Sequence, residues 1–196
     1  RFFPVEFLYW LSQEPNLPGD LDDGCAVLID KDHLTDGMSS PTFSVFVPMP
    51  PNEEEYHALI EGFFNDSAYV AKHLWRDDLM PAKYSLDYVM KHKKLRPMLE
   101  WRMEIDHFWS VKPGAYGKGL KGQLSPDAWS DLENSYAGAG IEENWDALFK
   151  TVELFCRVAI EVGASLGFQY PHHLARRVTE YLQAVRDLDP QAETFS

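Results

Sequence analysis

Two pairs of cationic side chains have spacings that suit the binding of an anion. Lys72 and Arg76 are four residues apart in a predicted helix, so they project from one side of it. They are either solvated surface charges or an anion-binding pair at a domain boundary. Lys118 and Lys121 lie in the segment GAYGKGLKG, and glycine-rich basic loops can cradle phosphate. This segment matches no established phosphate-binding motif, so a surface loop is the alternative.

Carboxylates offer the opposite kind of site, one for a cationic ligand. Glu100 lies among the apolar residues of the predicted helical segment LRPMLEWRMEI, 95–105. A carboxylate that faces inward there needs a cation or a donor as its partner, which makes Glu100 a candidate ligand-binding residue. Glu142 and Glu143 begin the longest predicted helix, where the helix dipole favours acids even without a ligand.

The motifs of complete catalytic sites are missing from the sequence. It contains no P-loop, no dinucleotide-binding fingerprint, no nucleophile elbow and no HExxH. The acids of the segment GDLDDG, 19–24, lie among turn-forming residues, and His92, His172 and His173 are isolated from other metal-ligand types. We therefore predict no catalytic residue and no metal site within this chain.

Arg102 and His107 form an R-x4-H spacing inside a predicted helix. This spacing resembles the ribonuclease motif of the HEPN helical bundles, in which arginine and histidine act on a phosphodiester. A ribonuclease is therefore one hypothesis, although the spacing is short and the net charge is unfavourable for RNA binding.

The charge balance and the cysteine content restrict the partners. The chain has 18 basic and 31 acidic residues, a formal net charge of −13 at pH 7. Such a charge repels nucleic acids and anionic membranes and attracts cationic ligands or basic proteins. The two cysteines form no metal-binding pattern and no disulfide framework, which indicates a cytoplasmic protein. No apolar segment approaches the length of a membrane span.

The hydrophobic periodicity predicts two parts. Residues 1–50 are predicted to be an extended lead-in with short strands at 26–29 and 42–47. Residues 51–190 are predicted to be a helical domain, mainly α, folded as an up-and-down bundle of five to six helices. The expected helices are 52–75, 77–93, 95–109, 125–136, 141–166 and 171–185, with Pro97 either bending the third or starting a new segment.

Several segments together resemble one family, the aminoglycoside 6-adenylyltransferases, also called streptomycin adenylyltransferases. They agree with it in order and spacing over about residues 25–188. They are VLIDKD (27–32), FFNDSAYVAKHLWRDDL (63–79), AKYSLD (82–87), LRPMLEWRME (95–104), FWSVKPGAYGKGLKG (108–122), YAGAGIEENWDALFKTVELF (136–155) and EVGASLGFQYP (161–171).

The resemblance implies an enzyme of two domains that transfers AMP from ATP to the drug. An upstream nucleotidyltransferase domain holds Mg²⁺ and ATP through a Gly-Ser motif and an Asp-x-Asp pair, and a helical domain closes over the antibiotic. This chain resembles the helical domain, because the Gly-Ser and Asp-x-Asp motifs are absent from it. Residues 1–50 would then be a remnant of the first domain or a linker from it. We expect the chain alone to bind no cofactor and to transfer no AMP.

The resemblance also suggests roles for individual residues. Lys72, Arg76, Lys118 and Lys121 would contact phosphate. The guanidinium or ammonium groups of the drug would be held by acids and by an aromatic ring, namely Asp87, Glu100, Trp101, Glu142 and Glu143. The alternatives are a non-catalytic binding module for a cationic ligand or protein, and the HEPN-type ribonuclease.

Overall fold

The computed structural model describes residues 27–31, 33, 35–36, 38–40, 47–111 and 114–189. The contacts of the chain divide it into two compact units, 1–47 and 48–196. Within the first unit, Thr35 fixes a turn by donating from its backbone N and its Oγ1 to Asp30 Oδ2, at 2.9 and 2.5 Å.

The strand predicted at 26–29 is wrong over its described residues. Val27, Leu28 and Ile29 lie outside any strand, and 50%, 72% and 77% of their respective surfaces are exposed. A short β-branched run forms a strand only when a neighbouring strand accepts its hydrogen bonds, and the described residues supply none. The strand predicted at 42–47 lies outside the described residues except for Val47, which is not in a strand.

Helix α1, Glu53–Trp75, begins and ends where its sequence pattern predicts. Asn52 Oδ1 accepts from the backbone N of Glu55, and the Glu55 carboxylate accepts from the backbone N of Asn52, so both halves of a capping box are present. The apolar stripe of the helix faces the interior. Its buried members are Tyr56, Ile60, Phe63, Phe64, Val70, Ala71 and Leu74.

The next helical stretch is continuous, but it is not one α-helix. Helix α2, Leu79–Lys83, passes directly into a π-helix, Tyr84–Leu95, which passes into α3, Arg96–Asp106. Pro97 lies in the first turn of α3, where the missing N–H of proline costs little, so it starts a segment. The helix predicted over 77–93 is present, but part of it is π-helical, with i→i+5 hydrogen bonds. The apolar periodicity does not distinguish this hydrogen-bond pattern from that of an α-helix.

The glycine loop, residues 114–122, connects α3 to α4. It contains two turns of 3₁₀-helix, Ala115–Gly117 and Leu120–Gly122, and a single bridge between Gly114 and Lys118. Helix α4, Pro126–Asn134, begins as predicted, because Ser125 Oγ accepts from the backbone N of Ala128 at 3.2 Å.

Helices α5, Ile141–Leu166, and α6, His172–Arg186, complete the bundle. Gly167 ends α5 in a left-handed conformation, as predicted. Helix α1 packs against α5, α6 and the π-helix, and α3 packs against α5. The described part of the second unit is therefore a mainly α up-and-down bundle, which confirms the predicted fold class.

The closest approach of α1 and α5 depends on a glycine. A Cβ atom on Gly163 would lie 2.6 Å from Tyr56 Oη, which donates to the carbonyl of Ala159 at 2.8 Å. About two turns along, the rings of Phe63 and Phe155 are stacked with centroids 3.6 Å apart. The core of the bundle is therefore centred on the α1–α5 interface.

Candidate functional site

The candidate site is the junction of the π-helix, α3 and the glycine loop. Arg96 lies at its centre: its Nη1 is 2.6 Å from Glu100 Oε1, and its Nε donates to the carbonyl of His92 at 3.1 Å. A Cβ atom on Gly117 would lie 3.3 Å from Arg96 Cδ, and the φ of Gly117 is +80°. Glycine at this position therefore lets the loop lie directly on Arg96.

Two carboxylates of α3 are buried one turn apart at this junction. Glu100 is 7% exposed and Glu104 is fully buried. Burial raises the pKa of Glu100 more than the neighbouring Arg96 lowers it, and the charge of Glu104 raises it further. Glu100 therefore faces inward, and Arg96 is the cationic partner that an inward carboxylate was expected to need.

Glu104 was not predicted from the sequence as a site residue. Its Oε2 accepts from the backbone N of Val111 at 3.2 Å, and its Oε1 is buried without a hydrogen-bond partner among the described residues. Its four-residue spacing from Glu100 was the signal, because that spacing places both acids on one helix face. A buried carboxylate oxygen without a donor is an acceptor available to a cation or a water molecule.

The turn that closes over Glu104 has a strained backbone. Phe108 and Trp109 have φ values of 53° and 57°, in the left-handed region that is unfavourable for residues with a Cβ. Phe108 is 88% exposed, so its own burial does not hold it there. The turn is fixed onto α3 by hydrogen bonds from the backbone N of Trp109 to the carbonyl of Glu104 at 2.9 Å and from Val111 to the Glu104 carboxylate.

Asp87 lies in a line of charges rather than in an open site. Its Oδ2 is 2.6 Å from Lys83 Nζ, and its Oδ1 is 2.7 Å from Lys91 Nζ. Lys83 donates to the carbonyl of Ala137 at 2.8 Å, and the Lys91 ammonium lies 4.2 Å from the centroid of the Tyr136 ring. Both oxygens of Asp87 are paired with lysines that in turn contact residues 136–137, and its contact with a drug stays a prediction.

Lys91 is the most deeply buried cation described at the site. Burial lowers its pKa, while the hydrogen bond to Asp87 opposes that shift. Burial also raises the pKa of Tyr136, and the charge of Asp87 raises it further. The aspartate between the two lysines therefore compensates a charge that would otherwise be costly in the interior.

Glu142 and Glu143 lie exposed in the first turn of α5. Arg186 Nη2 of α6 bridges Glu142 and Asp146, at 3.1 and 2.9 Å. A Cβ atom on Gly140 would lie 3.3 Å from Glu143 Oε2, so that carboxylate lies over the preceding loop. Glu143 is therefore the more available of the two predicted acids for a ligand.

The predicted cations are found in two separate places. Lys72 and Arg76 are exposed at the C-terminal end of α1, with no ion pair to a described residue, and the Lys72 ammonium lies 5.6 Å from the centroid of the Tyr69 ring. Lys118 is exposed on the glycine loop. Lys121 is 3.3 Å from Glu133 and lies over the Trp129 ring. No contact among the described residues joins the two pairs.

The geometry gives Arg102, His107 and Trp101 structural partners. Arg102 is 2.7 Å from Glu161 and 2.6 Å from Asp106, beside a cleft of about 170 Å³ between α3, α4 and α5. His107 Nδ1 lies 2.8 Å from the carbonyl of Met103, and Trp101 packs half-buried against the core. An arginine neutralised by two carboxylates is poorly placed to bind a phosphodiester, which counts against the ribonuclease hypothesis.

In the part of the chain that the structure describes, no three His, Cys, Asp or Glu side chains lie together in a metal-binding group. We therefore assign no metal-dependent step to these residues. None of the described helices has the length and apolar character that crossing a membrane requires.

Comparison with known proteins relates this chain to one family. The family model described as streptomycin adenylyltransferase matches residues 3–185. An aminoglycoside 6-adenylyltransferase of Bacillus subtilis (strain 168) is 27% identical over 159 residues, which cover 81% of this chain and 55% of the relative. Proteins of the same name from Campylobacter jejuni and Staphylococcus aureus are 25% and 23% identical, over 50% and 54% of their own lengths.

A solved structure supports the fold. The crystal structure of an aminoglycoside 6-adenyltransferase from Bacillus subtilis matches with a TM-score of 0.67 at 23% identity, over 78% of this chain and 58% of that one. The chain thus spans about half the length of the curated relatives it matches. Since the family model covers nearly all of the sequence, the chain belongs to the streptomycin adenylyltransferase family.

Proposed function

We propose that this protein is the helical, substrate-positioning part of an aminoglycoside O-adenylyltransferase of the streptomycin type. The observation that carries the proposal is the family match over residues 3–185, together with the name aminoglycoside 6-adenylyltransferase borne by the curated relatives. In the proposed reaction a drug hydroxyl attacks the α-phosphorus of ATP. A new O–P bond forms, pyrophosphate leaves, and the hydroxyl proton passes to a base.

The carboxylates that hold Mg²⁺ for this reaction would come from a nucleotidyltransferase domain. Phosphoryl-group transfer depends on metal ions that neutralise the developing charge on phosphate oxygens. The described residues of this chain would supply binding and orientation instead. Lys72 and Arg76 are exposed and free of ion pairs to described residues, which leaves them available to an anionic group of a neighbouring domain.

Glu100 is the residue that we assign to a cationic group of the drug. A tenth of its side chain remains exposed, so a guanidinium or ammonium group can reach its outer oxygen. Low local polarity strengthens a charge-assisted hydrogen bond at such a position. Glu143 would form a second, weaker contact from the start of α5, and the net charge of −13 favours the approach of a polycation.

Calorimetric titration with streptomycin tests the assignment of Glu100. We expect Glu100→Gln to weaken binding about tenfold, the effect of losing one charge-assisted contact. Glu61→Gln makes the same charge change on the exposed surface of α1 and should leave affinity within twofold, the size of a screened surface effect. Equal affinities of the two variants would remove Glu100 from the drug site.

A transfer assay with ATP, Mg²⁺ and streptomycin tests the reaction itself. Transfer of AMP to the drug by the full-length protein is the expected result. Binding of streptomycin without transfer, in the presence of a nucleotidyltransferase domain, would instead indicate a non-catalytic module for a cationic ligand.

A further inference from the structure

A row of four aromatic rings, three of them exposed, lies on the π-helix and the glycine loop. We call it the aromatic ladder: Tyr84, Tyr88, His92 and Tyr116. Consecutive ring centroids are 5.5, 5.8 and 5.7 Å apart, and the planes of Tyr88 and His92 differ by only 15°. Tyr84, Tyr88 and His92 follow each other at four-residue intervals, which places them on one face of the π-helix.

The ladder is adjacent to the charge line Lys83–Asp87–Lys91, which has the same four-residue spacing and is buried at its Lys91 end. The charge line docks residues 136–137, whereas the ladder remains largely in solvent. Tyr84, Tyr88 and Tyr116 are 61%, 43% and 83% exposed. A contiguous set of exposed rings is unusual on a surface that has no partner.

Tyr116 occupies its place in the ladder against a backbone preference. Its φ is +60°, a left-handed conformation that is unfavourable for a tyrosine. The loop around it is fixed by hydrogen bonds from Gly114 N to Lys118 O and from Gly117 N to Gly114 O, both 3.1 Å. Strain of this kind persists where the surroundings hold it and is concentrated at binding sites.

Two exposed lysines, Lys93 and Lys118, lie beside the ladder, although the protein as a whole is acidic. The Lys93 ammonium lies 4.9 Å from the centroid of the Tyr88 ring, and Lys118 is exposed in the same turn as Tyr116. The other cations of residues 91–96 have partners elsewhere, since Lys91 and Arg96 are paired with acids and Lys94 lies against Gly62 of α1. Burial and the charges of Arg96 and Lys93 lower the pKa of His92, which disfavours a positive charge on its ring.

We propose that the aromatic ladder is a stacking surface for the base of a purine nucleotide, with Lys93 and Lys118 as the cations for its phosphates. Aromatic rings receive a base through its π-face, and lysines beside them bind phosphate without reading the base. A cationic aminoglycoside fits this surface less well, because the same lysines repel it. The inference deepens the proposed function, since ATP is the nucleotide that an adenylyltransferase uses.

Fluorescence titration with an N-methylanthraniloyl derivative of ATP tests this proposal. The titration is run in EDTA, so that metal-dependent binding does not contribute, with unlabelled ATP and adenosine as competitors. We expect both competitors to displace the probe, because the base carries the contact. Failure of adenosine to compete at millimolar concentration would overturn the proposal.

Variants of the ladder give the specific signature. Tyr116→Leu should weaken ATP and adenosine alike by about tenfold, the loss of one base–aromatic contact, and Tyr116→Phe should restore both. Lys93→Met should weaken ATP and spare adenosine. Tyr181→Leu removes a tyrosine that is 41% exposed on α6 and should change neither. Unaltered binding by a folded Tyr116→Leu protein would contradict the stacking role.

The outcome can be separated from that of the proposed function. Loss of nucleotide binding in Tyr116→Leu, in a protein that never adenylylates streptomycin, would support the ladder and contradict the transferase assignment. AMP transfer to streptomycin with a KM for ATP that Tyr116→Leu leaves unchanged would support the transferase assignment and contradict the ladder.

Discussion

The interface of α1 with α5 and the junction of the π-helix with α3 differ in the kind of side chain that they bury. The first is apolar and closely packed, with Phe63 stacked on Phe155 and Tyr56 against Gly163. The second buries charged groups, Lys91, Glu100 and Glu104, beside a backbone with left-handed residues. The first supplies apolar packing, and the second places buried polar groups at the junction that we propose as a ligand site.

Removing an aromatic ring from the α1–α5 interface should have the largest effect. Phe155→Ala should lower the free energy of unfolding by about 3–5 kcal/mol. The variant loses the free energy gained when the ring is transferred out of water, and it also contains a cavity where the ring was. Urea denaturation followed by circular dichroism measures this change. Phe149→Ala provides a control at a half-buried ring of the same helix, where a smaller loss is expected. Equal losses for the two variants would contradict the special packing of this interface.

Breaking the charge line at the junction should cost less. Loss of one partner from a fully buried ion pair costs about 3–5 kcal/mol, but Asp87 would keep Lys83, so we expect about 2 kcal/mol for Lys91→Met. The same denaturation experiment on Lys150→Met, at an exposed position of α5, should show almost no change. The double variant Lys83→Met/Lys91→Met should lose more than the sum of its parts, because Asp87 is then uncompensated.

The pH dependence of stability should distinguish the junction from the apolar interface. Because the pKa of Glu100 is raised from 4.5 in the folded state, the folded protein retains a proton that the unfolded chain has lost. Stability from this group is thus complete below pH 4.5 and falls as the pH rises through the folded pKa. Glu100→Gln removes the decrease in stability that ionisation of this carboxyl causes. The unfolding free energy of the variant, relative to that of the wild type, should therefore increase from about pH 4 to about pH 7. A difference in unfolding free energy between variant and wild type that does not vary with pH would contradict the raised pKa of Glu100.

Relief of backbone strain should give the smallest effect, in the opposite direction. Phe108→Gly should stabilise the protein by about 0.5 kcal/mol, since relief of the left-handed conformation exceeds the entropic cost of glycine. Phe108→Ala is the matched control, because it removes the ring but keeps the Cβ and should bring no gain. Thermal unfolding of the two variants side by side measures the difference.

Much of the bundle could be predicted because its signals are local. The Asn52–Glu55 capping box, the Ser125 cap and the left-handed Gly167 fix helix ends within a few residues of themselves. The strand expected at Val27–Ile29 was wrong because a strand depends on a partner elsewhere in the chain. The π-helix was missed because side-chain periodicity does not report the hydrogen-bond register.

The candidate site was predicted only in part, since its residues combine through distant contacts. Glu100 was recognised as an acid in an apolar stretch, but Glu104 became evident only when both were found buried on one face. Asp87 was predicted to meet a ligand, whereas two lysines and the loop at Ala137 occupy its surroundings. A carboxylate has the same sequence pattern whether its partner is a drug or a lysine.

The sequence by itself determined the helix ends, the apolar faces of α1 and α5, the net negative charge and the family resemblance. These follow from short-range spacing and composition, which do not depend on how the helices meet. Only the tertiary structure decided which charges are buried together, where the backbone is strained and that Tyr116 joins three rings of another element. Those features depend on desolvation and contact between residues far apart in the chain, and no local pattern encodes them.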